Sequence, residues 1–144
     1  MKKIRCLIVD DEPIAQEILA SYIEEMDALI FKIDSLGQLV WNLEIGSYSQ
    51  SPFRYYYGRS IEVTHDGKYV VGGHYNAGSS GYFLAKVGAG GQLLWKKEYL
   101  DSIYSQNYFL ITTQDKGFLL GGRSLVTNNF QGSVVRTDSL GDTL

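Results

Sequence analysis

The sequence predicts a mainly β protein: two four-stranded antiparallel repeats and part of a third, preceded by one strand and one amphipathic α-helix. Three observations carry that prediction. After residue 30, short runs of Val, Ile, Leu, Tyr and Phe alternate with clusters of Gly, Ser, Asn and Asp, the pattern of strands joined by tight turns. Ten of the 11 tyrosines lie in this region, and tyrosine suits a half-buried pleated surface. The region also repeats. "KIDSLGQLVW" (32–41) aligns with "KVGAGGQLLW" (86–95) at an offset of 54, and "RTDSLGDTL" (136–144) restarts the pattern 50 residues after Lys86. "DGKYVVGG" (66–73) aligns with "DKGFLLGG" (115–122) at an offset of 49. Two landmarks recurring in the same order at nearly one period mark a duplicated structural unit.

The first element is "IRCLIV" (4–9), a continuous apolar-rich run of the kind that strands buried on both faces show. "DDEP" (10–13) follows, with acids able to cap a helix and a proline suited to its first turn. In "PIAQEILASYIEEM" (13–26), Ala15, Ile18, Leu19, Tyr22, Ile23 and Met26 recur at three- and four-residue spacing, which puts them on one helix face. Gln16, Glu17, Ser21, Glu24 and Glu25 take the opposite face.

The repeats then run over about 30–81, 82–132 and a partial 133–144. The middle unit reads as strands Tyr82–Val87, Gln92–Tyr99, Tyr108–Thr113 and Phe118–Gly122, with turns at "GAGG", near Leu100 to Gln106, and at "QDKG". Four strands in about 50 residues is the size of a β-propeller blade. Gly37, Gly91 and Gly141 fall where a hairpin turn needs positive φ. The pairs Gly72–Gly73 and Gly121–Gly122 read as strand ends where backbones approach closely. Trp41 and Trp95 hold matching positions and are expected to pack between neighbouring sheets.

Composition bounds the function. Hydrophobic content of 44% and charged content of 20% over 144 residues are those of a globular chain. The net charge of −3 divides into −4 over residues 1–29 and +1 over the rest, with no basic stripe, which argues against nucleic acid as a partner. No apolar run approaches the length of a membrane span. The start "MKKIRCLIVDDEP" meets acids too early for a secretory signal, so a cytoplasmic location is expected from this end of the chain. Cys6 is the single cysteine, which excludes an intrachain disulfide and reads as a small buried hydrophobe.

"IRCLIVDDEPIAQEILASYIE" (4–24) resembles the opening strand and helix of two-component response-regulator receiver domains. The resemblance covers residues 1–29 and implies that Asp10 and Asp11 are an acidic pair that helps bind Mg²⁺. Carboxylates at the carboxyl end of a parallel strand face the crevice where α/β proteins bind ligands, and Mg²⁺ takes hard oxygen donors. A receiver also needs a phosphoacceptor aspartate, a Thr or Ser and a Lys on later parallel strands. Asp34 lies in a repeat landmark and Asp66 in a β-turn, so neither is expected to end a buried parallel strand. The expectation is weak Mg²⁺ binding at most, with no phosphoacceptor.

Residues 30–144 are similar to propeller-type repeats of secreted or surface-attached bacterial proteins, through the "K-x-D-x-x-G-x-x-x-W" hairpin and the "D-G-x-aromatic" turn leading to "GG". Asp34 and Asp138 keep the hairpin aspartate while Gly88 departs from it, and the turn glycine Gly67 shifts to Gly117 in the next unit. The change of regime near residue 29 predicts a chimera, the start of a signalling protein joined to the middle of a repeat protein. The third unit reaches Leu144 one position before its tryptophan is due.

The remaining candidate sites read as structural. His65 and His74 are expected as turn or surface residues, since no Cys or carboxylate spacing makes them metal ligands. "VGGHYNAGSSG" and "GAGG" lack the Lys-Ser/Thr of a phosphate loop and read as hairpins. "YYY" (55–57) is expected at a strand edge or between sheets, with sugar stacking as the alternative. The sequence therefore predicts a non-catalytic β-repeat module that self-associates through open blade edges. A receiver remnant and a carbohydrate-binding surface are the alternatives.

Overall fold

A computed structural model of the chain describes residues 6–9, 29–46, 55–76, 79–102 and 104–144. These residues form ten strands: β1 Cys6–Val9, β2 Leu29–Ile33, β3 Leu39–Glu44, β4 Tyr55–Val63, β5 Tyr69–Asn76, β6 Ser80–Val87, β7 Leu93–Ser102, β8 Ser105–Thr112, β9 Phe118–Val126 and β10 Asn129–Thr137. They make three sheets, ordered β1-β2-β3, β4-β5-β6-β7 and β10-β9-β8, none of which closes on itself. The helix expected within residues 13–26 lies outside the described residues, and among the described residues there is no helix. No helix among them is long and apolar enough to cross a membrane.

The hairpins repeat one design. In each of Asp34–Gln38, Thr64–Lys68, Gly88–Gln92, Thr113–Gly117 and Asp138–Asp142, the first N–H donates to the fifth carbonyl and the fourth N–H to the first carbonyl, at 2.8–3.2 Å. The fourth residue takes positive φ: Gly37 75°, Gly67 70°, Gly91 85°, Lys116 67° and Gly141 80°. Glycine pays no Cβ penalty there, whereas Lys116 does. The glycine displaced to position 117 serves a different need, because a Cβ on Gly117 would lie 2.1 Å from the Thr137 carbonyl oxygen. Asp34 and Asp138 cap their turns. The Asp34 carboxylate accepts the N–H groups of Leu36 and Gln38 at 2.9 Å, and that of Asp138 accepts those of Leu140 and Asp142 at 2.8 Å. At Gly88 this cap is missing, and the Gln92 carboxamide folds into the vacated space.

The sheets cut the chain at a different phase from the expected units. The tryptophan hairpin forms the third and fourth strands of a sheet, so the four-stranded sheet spans Tyr55–Ser102 and the next begins at Ser105. A repeat period sets the length of a unit and not where it starts. The described residues accordingly show one four-stranded sheet, one of three strands, and a first sheet in which β2 and β3 are antiparallel, rather than two complete four-stranded units.

The glycine pairs do not end strands. Gly72–Gly73 and Gly121–Gly122 lie inside β5 and β9, opposite register shifts at Gly58/Ser60 and Asn107/Phe109. The bulge tips a carbonyl over the second glycine of each pair. A Cβ on Gly73 would lie 2.0 Å from the Tyr57 carbonyl oxygen, and one on Gly122 would lie 2.0 Å from that of Gln106. The expected close approach is present, and its cause is the bulge.

The middle sheet is covered on both faces. Val71, Phe83, Ala85 and Val87 pack with Ile30 and Ile45 of the first sheet region. Val70, Tyr82 and Leu84 pack with Leu110, Phe118, Leu120 and Val135 of the third sheet. The tryptophans seal these interfaces as expected. Trp41 meets Tyr69 edge-on at 5.7 Å, lies over Gly91 and donates to the Ala89 carbonyl at 3.1 Å. Trp95 packs on Phe118 at 6.2 Å and over Gly141. Each tryptophan thus clamps its own sheet onto the hairpin of the next.

β1 runs parallel to β2, from Cys6↔Leu29 to Val9↔Lys32. It occupies the edge of β2 that corresponds to the β5 edge of β6, where the pairing is antiparallel. Asp34 directly follows β2, a half-buried strand with β1 parallel on one edge and β3 antiparallel on the other, and it opens the tight turn between β2 and β3. A long crossover lets a parallel neighbour form, and residues 10–28 provide that length.

Candidate binding cleft between the second and third sheets

The five hairpin turns gather at one end of the sheets. At the other end, β4, β5, β6 and β8, with Tyr104 just before β8, bring together Tyr57, His74, Asn76, Ser80, Ser105 and Gln106 around a cleft of about 180 Å³. Tyr57 stacks on His74 with ring centroids 4.9 Å apart. The same two positions in the next unit, 49 residues on, are Gln106 and Arg123. Here the guanidinium donates to Gln106 Oε1 at 3.0 and 3.2 Å. Arg123 also lies 4.5 Å from the Phe130 ring centroid and about 6 Å from those of Tyr104 and Tyr108. One repeat position thus carries an aromatic–imidazole stack in one sheet and an amide–guanidinium pair in the next.

From Ser80 and Ser105, which line the cleft, a hydrogen-bonded chain runs back between the sheets. Ser105 N–H donates to Ser80 Oγ at 2.6 Å. Ser105, Ser124 and Ser133 follow at 3.0 and 2.9 Å, and Tyr82 closes the chain. Burial pushes the Tyr82 phenol above its ordinary pKa. Hydroxyls that both donate and accept satisfy one another in a low dielectric, which links the second sheet to the third without a charge. The arrangement offers aromatic faces at the rim with amide and hydroxyl groups between them, the chemistry that holds small polar ligands.

The titration shifts at the opposite end are architectural. The Thr64 hydroxyl and the Lys68 and Lys86 ammoniums hold Asp66 well below the usual carboxylate range, with the two lysines at 2.9 and 3.2 Å. The Thr113 hydroxyl, then the Arg136 guanidinium at 2.7 Å, hold Asp115 at about 2. The two clamps repeat at equivalent positions and fasten the first hairpin of a sheet to its third strand.

The residues singled out in the sequence fall in different places. Asp10 and Asp11 lie outside the described residues. The Asp34 carboxylate is turned into its own hairpin. His65 is an exposed turn residue whose Nε2 meets the Thr113 carbonyl oxygen at 3.2 Å. His74 is a correction: it is buried inside β5, because the strand continues past the glycine pair. Of "YYY", Tyr56 enters the core between the first and second sheets and Tyr57 lines the cleft. Among the described residues, no three His, Cys, Asp or Glu side chains gather as metal ligands. Sequence reasoning missed Arg123, Gln106 and Tyr104. Extending the repeat alignment past the glycine pair, His74 onto Arg123, is the signal that reaches them. No family model matches the chain, and no curated protein does.

Proposed function

We propose that the chain is a non-catalytic β-repeat module of incomplete-propeller type that acts through binding, by stacking a further sheet of its own kind. One observation carries this. Leu119 and Val134 stand on the outer face of the third sheet at the positions where Val70 and Leu84 of the second sheet hold the third. Val134 is 62% exposed, with Phe109 at 44% and Ile111 at 46% beside it. An apolar face of this kind marks an interaction site. In this reading the receiver-like segment supplies a strand at β1 rather than a phosphorylation site, and incubation with Mg²⁺ and a small phosphodonor leaves no aspartyl-phosphate.

Sedimentation equilibrium tests the proposal. The expected result is concentration-dependent association that Val134→Lys weakens at least tenfold while the β circular dichroism signal persists. A chain that stays monomeric at every concentration sinks it. The aromatic rim of the cleft favours a second reading, carbohydrate binding, which predicts glycan-dependent quenching of tyrosine emission that Tyr104→Ala removes.

A further inference from the structure

We propose that the turn end of the molecule carries a second ligand site, a cleft between the second and third sheets that binds the phosphate group of a small monoester. The site stands apart from the apolar outer face of the third sheet and does not depend on anything stacking there.

The cleft encloses about 250 Å³, below the range of drug-sized sites, which suits a small ligand. Its charged side chains are Lys86 of β6 and Lys116 of the hairpin between β8 and β9, against Asp66. That carboxylate is already shared, with the Lys68 ammonium at 2.9 Å and the Lys86 ammonium at 3.2 Å. Two ammoniums on one carboxylate leave positive charge over before Lys116 is added. The Lys86 side chain is only 14% exposed, so its charge acts through a lower dielectric than that of a surface lysine. Among the described residues, no side chain bonds the Lys116 ammonium. Thr112 and Ser139 add hydroxyls to the same lining, and hydroxyls and ammoniums are strong donors to phosphate oxygens. Leu140 gives an apolar patch for the rest of the ester.

The repeat does not require this lining. At the junction of the first and second sheets, the positions of Thr112 and Lys116 are Val63 and Gly67, 49 residues earlier, and those of Ser139 and Leu140 are Ala89 and Gly90, 50 residues earlier. The same architecture is thus built there without these hydroxyls or this ammonium. Lysine is also the costly choice at its position. Lys116 holds a φ of 67° where the other four hairpins place glycine. A strained residue that its counterparts avoid points to a use beyond the turn. His65 secures that turn. The Thr113 carbonyl accepts the Lys116 N–H at 2.9 Å and meets His65 Nε2 at 3.2 Å, and since a carbonyl only accepts, the imidazole donates. A residue of the second sheet thereby fixes the third-sheet turn that carries Lys116.

The probe is phenyl phosphate, titrated by calorimetry into the whole chain in a buffer free of phosphate and sulfate, with chloride holding the ionic strength constant. Amide chemical shifts are the second readout. The expected result is saturable binding of one probe per chain that moves the amides of Lys116, Gly117 and Ser139. Lys116→Gly weakens it about tenfold or more, the loss of one charge-assisted contact, while the urea midpoint holds or rises because glycine relieves the turn. Lys116→Arg keeps most of the affinity. Thr112→Val lowers it without touching the turn. Shifts that fail to saturate, equal binding of benzoate, or unchanged affinity in Lys116→Gly each overturn the proposal. None of these failures touches the repeat-module reading, whose readout is association and its response to Val134→Lys.

Discussion

β6 and β10 are the same element of the repeat, 50 residues apart, and they live in different surroundings. Each is the third strand of its sheet, and each enters the same hairpin. In β6, Tyr82, Phe83, Leu84, Ala85 and Val87 are all 0% exposed, whereas in β10 Phe130 is 54% and Val134 62% exposed. The difference lies in their neighbours. β6 has a strand on each edge and a sheet on each face. Among the described residues, β10 has one strand beside it, the first rungs of another, and one covered face. Burial here follows from what stacks next rather than from the strand itself. The two sequences reflect this: SGYFLAKV is nearly continuous in apolar residues, and NFQGSVVRT mixes them with polar ones.

The largest test of this comparison is a pair of truncations at matched positions. Leu84→Ala, in the core between the second and third sheets, is expected to cost about 3 kcal/mol. Val134→Ala, at concentrations low enough for the chain to be monomeric, is expected to stay within about 0.5 kcal/mol. Both are read from urea midpoints at unchanged slope. A cost at Val134 equal to that at Leu84 means that the outer face is covered in solution.

A second pair separates the bulge from the edge. A Cβ on Gly122 would meet the Gln106 carbonyl oxygen at 2.0 Å and Tyr82 Oη at 2.6 Å, so Gly122→Ala is expected to lose about 2 kcal/mol. Gly132→Ala, in open space, is expected to gain about 0.5 kcal/mol by restricting the unfolded chain. If Gly122→Ala is tolerated, the bulge is not what requires the glycine.

The smallest effect sits in the turns. Lys116 alone among the five turn positions takes positive φ with a side chain. Relief of that strain, less the entropy glycine costs, gives Lys116→Gly a net gain of about 0.5 kcal/mol. A loss on thermal unfolding means that the Lys116 side chain makes a stabilising contact that outweighs its backbone.

Local features were readable to the extent that their causes are local. The turns at Gly37, Gly91 and Gly141 follow from positive φ, and the middle-unit strands differ from expectation mainly at their ends. The role of Trp41 and Trp95 followed from the repeat, since matched residues of that size need matched partners. Features set by distant pairing were hidden. The glycine pairs read as strand ends because nothing in "VVGGHY" announces a bulge on the opposite strand. That error placed His74 at the surface. Arg123 carried no motif, because its partners Gln106, Tyr104 and Phe130 come from other strands.

By itself the sequence determined the β class, the period, the turn geometry and the tryptophan positions, all of which follow from backbone sterics and alternation over a few residues. Only the tertiary structure decided the rest. It set the phase of the sheets, placed β1 in parallel beside β2, and closed the hydroxyl chain from Ser105 to Tyr82. Among the described residues it also left the apolar outer face of the third sheet uncovered. Each of these depends on which surfaces meet, and a linear pattern that repeats cannot say where the stacking starts or stops.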